Sequence, residues 1–435
     1  MTANQFEVEF DKEGKVFNPA QVDAVLKAVP QLTDLYVISH GWNNNSAEAR
    51  QLYNDFFASI EKVQGLGLVK GLDGRTFGQL RVLWPSKKFE DSELIPGGGA
   101  AGMTAESDQA LLDLLERMKH DTTRLGVPGE NPGREAAIAR AQALVPALDK
   151  DAGARKEFVD KLRGILDPGA AHPDDGSQEF FTMDPEALFK SLQDGVTAPV
   201  AVPQGGAAAL GNAGGAAGLQ DLVSGIKAAA RRIANFTTYY EMKERAGTVG
   251  RVGLSPVLRQ IRQKNPNLRL HLVGHSFGGR LVTAAADALD ANTPKVTVTL
   301  LQAAYSHNGL AAKFDGKNDG FFRKVLSEKR ASGPILITHT KNDKAVGIAY
   351  PLASRLSNTK AAALGDENDP YGGMGRNGAQ HTQEANAGDL LPLGGDYTFA
   401  AGKVHNLKAD KFIKDHGDVT GRQVAYAVLN SVRVI

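Results

Sequence analysis

The stretch LRLHLVGHSFGGRLVTAAADAL (268–289) changes period part-way along. LRLHLV alternates as a strand does, GRLVTAAADAL repeats as a helix does, and a serine stands at the break, two residues from a glycine on either side. A strand that turns this sharply into a helix holds its serine in a strained conformation, and bulky neighbours would clash there. Gly274, Gly278 and Gly279 supply the clearance around Ser276.

Outward from this turn, further short apolar runs read as strands: FEVEF (6–10), LYVIS (35–39), LRVLW (80–84), VTVTLL (296–301) and ILITH (335–339). Helical patterns lie between most of them, among them PAQVDAVLKAV and AEARQLYNDFFASIEKV. Strands alternating with helices predict an α/β domain, with a mostly parallel sheet covered by helices on both faces. Residues 86–249 interrupt that rhythm with AESDQALLDLLERMKH, REAAIARAQALVPAL, ARKEFVDKLRGIL and DPEALFKSL, which together predict an all-helical insert. In the last of these Asp184 suits an N-cap, followed by Pro185 at the first helical position. A Gly/Ala/Pro-rich linker (195–218) follows, and then a long helix with Leu219, Leu222, Val223, Ile226, Ala230, Ile233, Phe236 and Tyr240 on one face. The sheet domain therefore comprises 1–85 and 250–435.

Composition narrows the function classes. The chain has 435 residues, 42% of them hydrophobic, enough for a large core. Lys and Arg total 50 against 49 Asp and Glu, so no overall field attracts nucleic acid or an anionic membrane. The absence of cysteine removes disulfides, thiolate metal sites and a Cys nucleophile. The N-terminus has no basic and apolar leader, and no apolar run is long enough to span a bilayer, so a cytoplasmic protein without a transmembrane segment is expected.

A serine hydroxyl needs a base, and the base needs an acid to fix its tautomer. In a G-x-S-x-G turn these follow in the order Ser, Asp or Glu, His. Asp343 in KNDKAV stands just past the strand ILITH and suits the acid. His416, in a loop leading into the amphipathic RQVAYAVLNSV, suits the base, with His405 and His381 as alternatives. The Phe277 N–H at the helix start and the Trp42 N–H after the His-Gly pair of LYVISHGWNNN suit an oxyanion hole, with Gly41 allowing close approach. Asn43, Asn44 and Asn45 read as turn formers, and His275 as a packing or hydrogen-bonding residue on the other side of the turn.

The set VISHGW, VGHSFGG, HTKNDKAV and KDHGDV, in this order around strands, resembles the α/β-hydrolase superfamily. The resemblance covers the sheet domain and leaves the insert unmatched, although an insert there resembles the cap or lid many members carry. It implies Ser276 as nucleophile, Asp343 as acid, His416 as base and the Trp42 and Phe277 amides as oxyanion hole, with no metal or cofactor. The implied activity is hydrolysis of carboxylic esters, with a small-molecule or lipid-like ester as substrate. An amidase or peptidase with the same residues, or a non-catalytic binding or effector module on the same scaffold, are the alternatives.

Three motifs carry less. GGGAAG (97–102) matches a dinucleotide fingerprint but follows Pro96 instead of a strand, so it reads as a hinge. DGKNDG (315–320) has Lys317 at a calcium-ligand position and Leu326 where a bidentate Glu belongs. GDENDP (365–370) reads as a solvated loop, and His271 as a satisfied core or surface residue.

Overall fold

The computed structural model describes residues 4–42, 44–86, 108–124, 127–129, 131–193, 225–343, 345–346 and 369–435. The 195–218 linker, the 97–102 glycine run, Leu219, Leu222, Val223 and residues 365–368 lie outside them. The main sheet has eight strands: β1 (Asn4–Glu9), β2 (Asp34–Ser39), β3 (Phe77–Leu83), β6 (Arg269–His275), β7 (Val296–Leu301), β8 (Ile335–His339), β9 (Ala385–Asp389) and β10 (Val404–Lys408). Their order is β1-β3-β2-β6-β7-β8-β10-β9, and every pairing is parallel.

Alternation along each strand feeds two cores. Leu35 and Val37 of β2, with Leu270 and Leu272 of β6, face one apolar layer. Tyr36 and Ile38, with Val273, face the other. The first layer is closed by α1 (Pro19–Ala28), α9 (Ser255–Lys264) and α10 (Phe277–Asp287). The second is closed by α2 (Ser46–Gly65) and the terminal α11 (Arg422–Val432). Burial on both faces explains why the strands read as nearly continuous apolar runs.

β2 leads to β3 on one side, and β6 leads to β7 on the other, yet β2 and β6 are neighbours in register from Asp34↔Arg269 to Ser39↔Gly274. The strand order thus reverses between them. In open parallel sheets the crevice beyond the carboxyl ends at such a reversal is where ligands settle. Gly41 and Ser276 both lie there.

The insert contains α3 (Asp108–Lys119), α4 (Pro132–Leu144), α5 (Ala152–Arg163), α6 (Ser177–Thr182), α7 (Pro185–Leu192) and α8 (Ile226–Thr248). It has its own core, where Leu111, Leu114, Leu115 and Met118 repeat at helical spacing against Ile138, Phe158 and Phe189. Asp184 caps α7 as expected, accepting from the N–H groups of Glu186 and Ala187. The expectation of an all-helical insert is corrected: β4 (Asp121–Arg124) and β5 (Val127–Gly129) pair as an antiparallel hairpin. The segment is too short to show a period of its own, and its backbone is tied to the sheet domain by Lys12 N–H donating to Thr123 O at 3.0 Å.

The junction between insert and sheet domain lies inside one helix. α8 passes through a π-helical turn (Val249–Leu254) straight into α9. Met242 and Ala246, on the insert side of residue 250, belong to the core of the sheet. The π turn presses Gly250 onto α10, where a β-carbon would collide with the Leu281 carbonyl and stand 2.8 Å from Ala284 Cβ. Buried charges reinforce the seam: Arg280 of α10 donates to Lys243 O at 2.9 Å and to Glu244 at 3.0 Å, and Lys243 pairs with Asp175. Among the described residues no helix is long and apolar enough to cross a membrane.

Candidate functional site

Ser276 caps β6 and opens α10 with φ 55° and ψ −125°, a region that side-chain-bearing residues rarely adopt. Three backbone bonds hold it there. Ser276 N–H donates to Leu301 O at 3.0 Å, and Ser276 O accepts from Gly279 N–H at 2.9 Å and Ala304 N–H at 3.0 Å. The neighbouring glycines are required by contact. A β-carbon on Gly274 would enter the Gly278 carbonyl, and one on Gly278 would enter the Ser39 carbonyl.

The His40–Gly41–Trp42 segment crosses this turn so closely that a β-carbon on Gly41 would lie 2.6 Å from Ser276 Cβ and 3.1 Å from its Oγ. The Gly41 carbonyl is fixed by His40 Nδ1–H at 2.9 Å and Asn44 Nδ2–H at 3.2 Å. In a trans peptide the N–H points opposite to the carbonyl, so pinning Gly41 O also aims the Trp42 N–H. Neither the Trp42 nor the Phe277 backbone N–H has an acceptor among the described residues. Burial holds the His40 imidazole neutral, its pKa pushed down to about 4, so Nε2 can accept from Trp84 N–H while Nδ1 donates. Asn45 caps α2 in a reciprocal box with Glu48, an arrangement worth about 1 kcal/mol.

Asp343 is fully buried beyond β8. Burial pushes its carboxyl upward, but hydrogen bonds from His416, Val346 N–H (2.9 Å) and Gln302 Nε2 (3.2 Å) outweigh it and hold it below its ordinary value. His416 Nδ1 lies 2.8 Å from Asp343 Oδ2. A carboxylate only accepts, so Nδ1 carries the proton and Nε2 is left as the basic nitrogen. The His416 ring stands 4.8 Å from that of His275, whose Nε2–H donates to His416 O at 2.8 Å. His416 is thereby brought beside the Ser276 turn, but no hydrogen bond joins its ring to Ser276 Oγ.

The other histidines are engaged elsewhere. His405 Nε2 accepts from Ala400 N–H at 3.1 Å, and His381 Nδ1 meets Asn308 Oδ1 at 2.8 Å. His381 lines a cavity of about 620 Å³ with His339, Asn377, Gln380 and Asn406, which includes neither Ser276 nor His416. His271 is buried between Asp34 and Thr297, both at 2.9 Å. Among the described residues no three His, Asp or Glu side chains gather to hold a metal ion.

Sequence reading left several of these contacts out. Asn44 reads as a turn former, yet it clamps the carbonyls of Gly41 and Trp42. Gln302 donates to both Asp343 and Gly375, and its place directly after VTVTLL, at the carboxyl edge of β7, is the signal that would have found it. An aromatic group borders the turn: Tyr239 of α8 lies 5.1 Å from Phe277 and 6.4 Å from Trp42. Compared with family models, curated proteins and solved structures, the chain matches none.

Proposed function

We propose that this chain is a serine hydrolase of the α/β-hydrolase type that cleaves carboxylic esters. The reading rests above all on one arrangement: His416, tautomerically fixed by a buried Asp343, is held by its own main chain to the residue beside a strained Ser276. Ser276 Oγ would attack the ester carbonyl as His416 Nε2 takes its proton, and Asp343 would stabilise the imidazolium. The oxyanion would collect on the Trp42 and Phe277 amides, the second at a helix N-terminus where partial positive charge helps. His416 then returns the proton to the departing alkoxide, and water, activated by the same ring, releases the acid from the acyl-enzyme. The Trp42, Tyr239 and Phe277 rings favour an apolar, lipid-like or aryl ester.

The open Ser276–His416 contact favours a second reading, a non-catalytic binding module on the same scaffold, because catalysis requires that contact to close. Catalytic hydrogen bonds are often long before substrate binds. Incubation with a fluorophosphonate, followed by intact mass, separates the readings. A single adduct on the wild type that disappears in Ser276→Ala supports the hydrolase; folded wild type without an adduct, or an adduct that survives the substitution, overturns it.

A further inference from the structure

The segment that carries His416 is anchored at its two ends, where Ile413 and Val419 are buried in the second core and Asn342 Nδ2–H donates to Ile413 O at 2.8 Å. Asp415 caps its turn, accepting from Gly417 N–H at 2.9 Å and Asp418 N–H at 3.0 Å, and Asp418 accepts from Lys414 N–H at 3.0 Å. These bonds are exposed and internal to the loop. They shape the stretch between those anchors, Lys414 to Asp418, without tying it to the rest of the molecule. Asp343 holds the His416 ring by one bond to Nδ1, which orients the ring and leaves its main chain to be placed by other contacts.

The bond between His275 Nε2–H and His416 O, at 2.8 Å, ties the middle of that stretch to the end of β6. His275 is buried, 8% exposed, and is the residue immediately before Ser276, at the end of β6. We infer that His275 is a positioning residue: it fixes the main chain of His416 to the same turn that presents Ser276, so that nucleophile and base are registered through one hydrogen bond. The inference rests on the hydrolase reading and adds to it a part for a residue that the triad does not include.

The chemistry of the imidazole suits this part. A carbonyl can only accept, so Nε2 carries the proton and Nδ1 is bare; Nδ1 is buried with no partner. A second proton on Nδ1 would put a buried charge on the ring beside His416, and burial, followed by the His416 charge, pushes the His275 pKa down to about 3. The ring therefore stays neutral while its neighbour 4.8 Å away gains and loses a proton. A cationic donor here would oppose that cycle; a neutral one leaves it alone.

The test uses the full chain with His275→Gln, His275→Asn and His275→Phe. Glutamine places an amide donor near the Nε2 position, asparagine only near Nδ1, and phenylalanine keeps the ring without a donor. The rate of fluorophosphonate labelling at Ser276 is measured for each, together with Tm and the low-field proton resonance of His416 Nδ1–H. Glutamine should label within a few-fold of wild type, and asparagine and phenylalanine about 10²-fold more slowly, the penalty for misplacing a reacting group by about an ångström. The low-field resonance should persist in the glutamine variant and broaden in the asparagine variant. A role in packing alone would rank phenylalanine best, and that order overturns the inference, as does glutamine labelling as slowly as asparagine. If the phenylalanine variant does not fold, the amide pair alone decides. Absence of labelling in wild type would instead overturn the hydrolase reading, and this role with it.

Discussion

Gly41 and Ser276 touch so closely that a single methyl group on the first would stand 2.6 Å from the β-carbon of the second. The end of β2 is thereby docked onto the end of β6, with Trp42 and Phe277 following the two touching residues. Gly41→Ala must push the two apart. On the proposed function, fluorophosphonate labelling and ester turnover should fall on the order of 10²-fold, with a stability loss of about 1–3 kcal/mol for the displaced loop. Wild-type labelling in a folded Gly41→Ala protein would show that the Trp42 amide is not used.

Asp343→Asn keeps the shape of the acid and removes its charge. The amide can donate to His416 and stabilise the wrong tautomer, so on the proposed function ester hydrolysis should drop about 10⁴-fold while the fluorescence-detected urea midpoint changes little. A decrease below tenfold would assign Asp343 a structural part only.

Acid should weaken the fold before it protonates the carboxylates. Burial pushes the pKa of His40 down to about 4 and that of His307 to about 3, from an unfolded value near 6.5. A base that resists protonation only while folded contributes full stability above about pH 6.5 and loses it as pH falls toward its folded value. At full protonation these shifts amount to roughly 3 kcal/mol for His40 and roughly 5 kcal/mol for His307. The urea midpoint should therefore be level from pH 7 to 8 and decline from about pH 6.5 downward. A midpoint unchanged at about pH 5 would contradict the buried, neutral assignment of both rings.

Lys243 and Asp175 form a buried ion pair where the insert meets α10. Removing Lys243 leaves the Asp175 carboxylate buried with Ser177 as its remaining hydrogen-bond donor, at a cost of up to about 3–5 kcal/mol, whereas replacing both charges by apolar residues of similar volume avoids an unpaired buried charge and loses only the Ser177 bonds. Lys243→Met alone should thus lower the urea midpoint, and adding Asp175→Leu should recover part of the loss, short of the two bonds from Ser177. Additive losses in the double variant would mean that the pair does not act as a unit.

The strands at 296–301 and 335–339 are legible in the sequence to the residue, because a parallel sheet buried on both faces leaves continuous β-branched runs. β9 and β10 are not. Ala385–Asp389 is an exposed edge of small residues, and Val404–Lys408 is five residues with a histidine and an asparagine inside, so neither carries enough apolar signal. Ser276, Gly41 and Asp343 are legible because turn chemistry and strand ends mark them locally. Gln302, Asn44 and the His275 contact with His416 escape, because each depends on where a distant carbonyl or carboxylate arrives. His416 itself is chosen from its loop setting, while the bond that fixes it spans from the last strand turn back to the middle of the chain.

The unbroken passage from Ile226 to Lys264 limits how this molecule can be taken apart. A shortened gene for the sheet domain that resumes at residue 250 would begin in mid-helix and discard Met242 and Ala246, which fill the sheet's own interior. The excised insert would carry those same side chains bare on its surface, beside a Lys243 parted from Arg280. Each fragment would expose a sticky seam made for the other, so co-expressed halves should reassociate where either alone would aggregate. Grafting the insert onto another scaffold would have to bring the whole rod along.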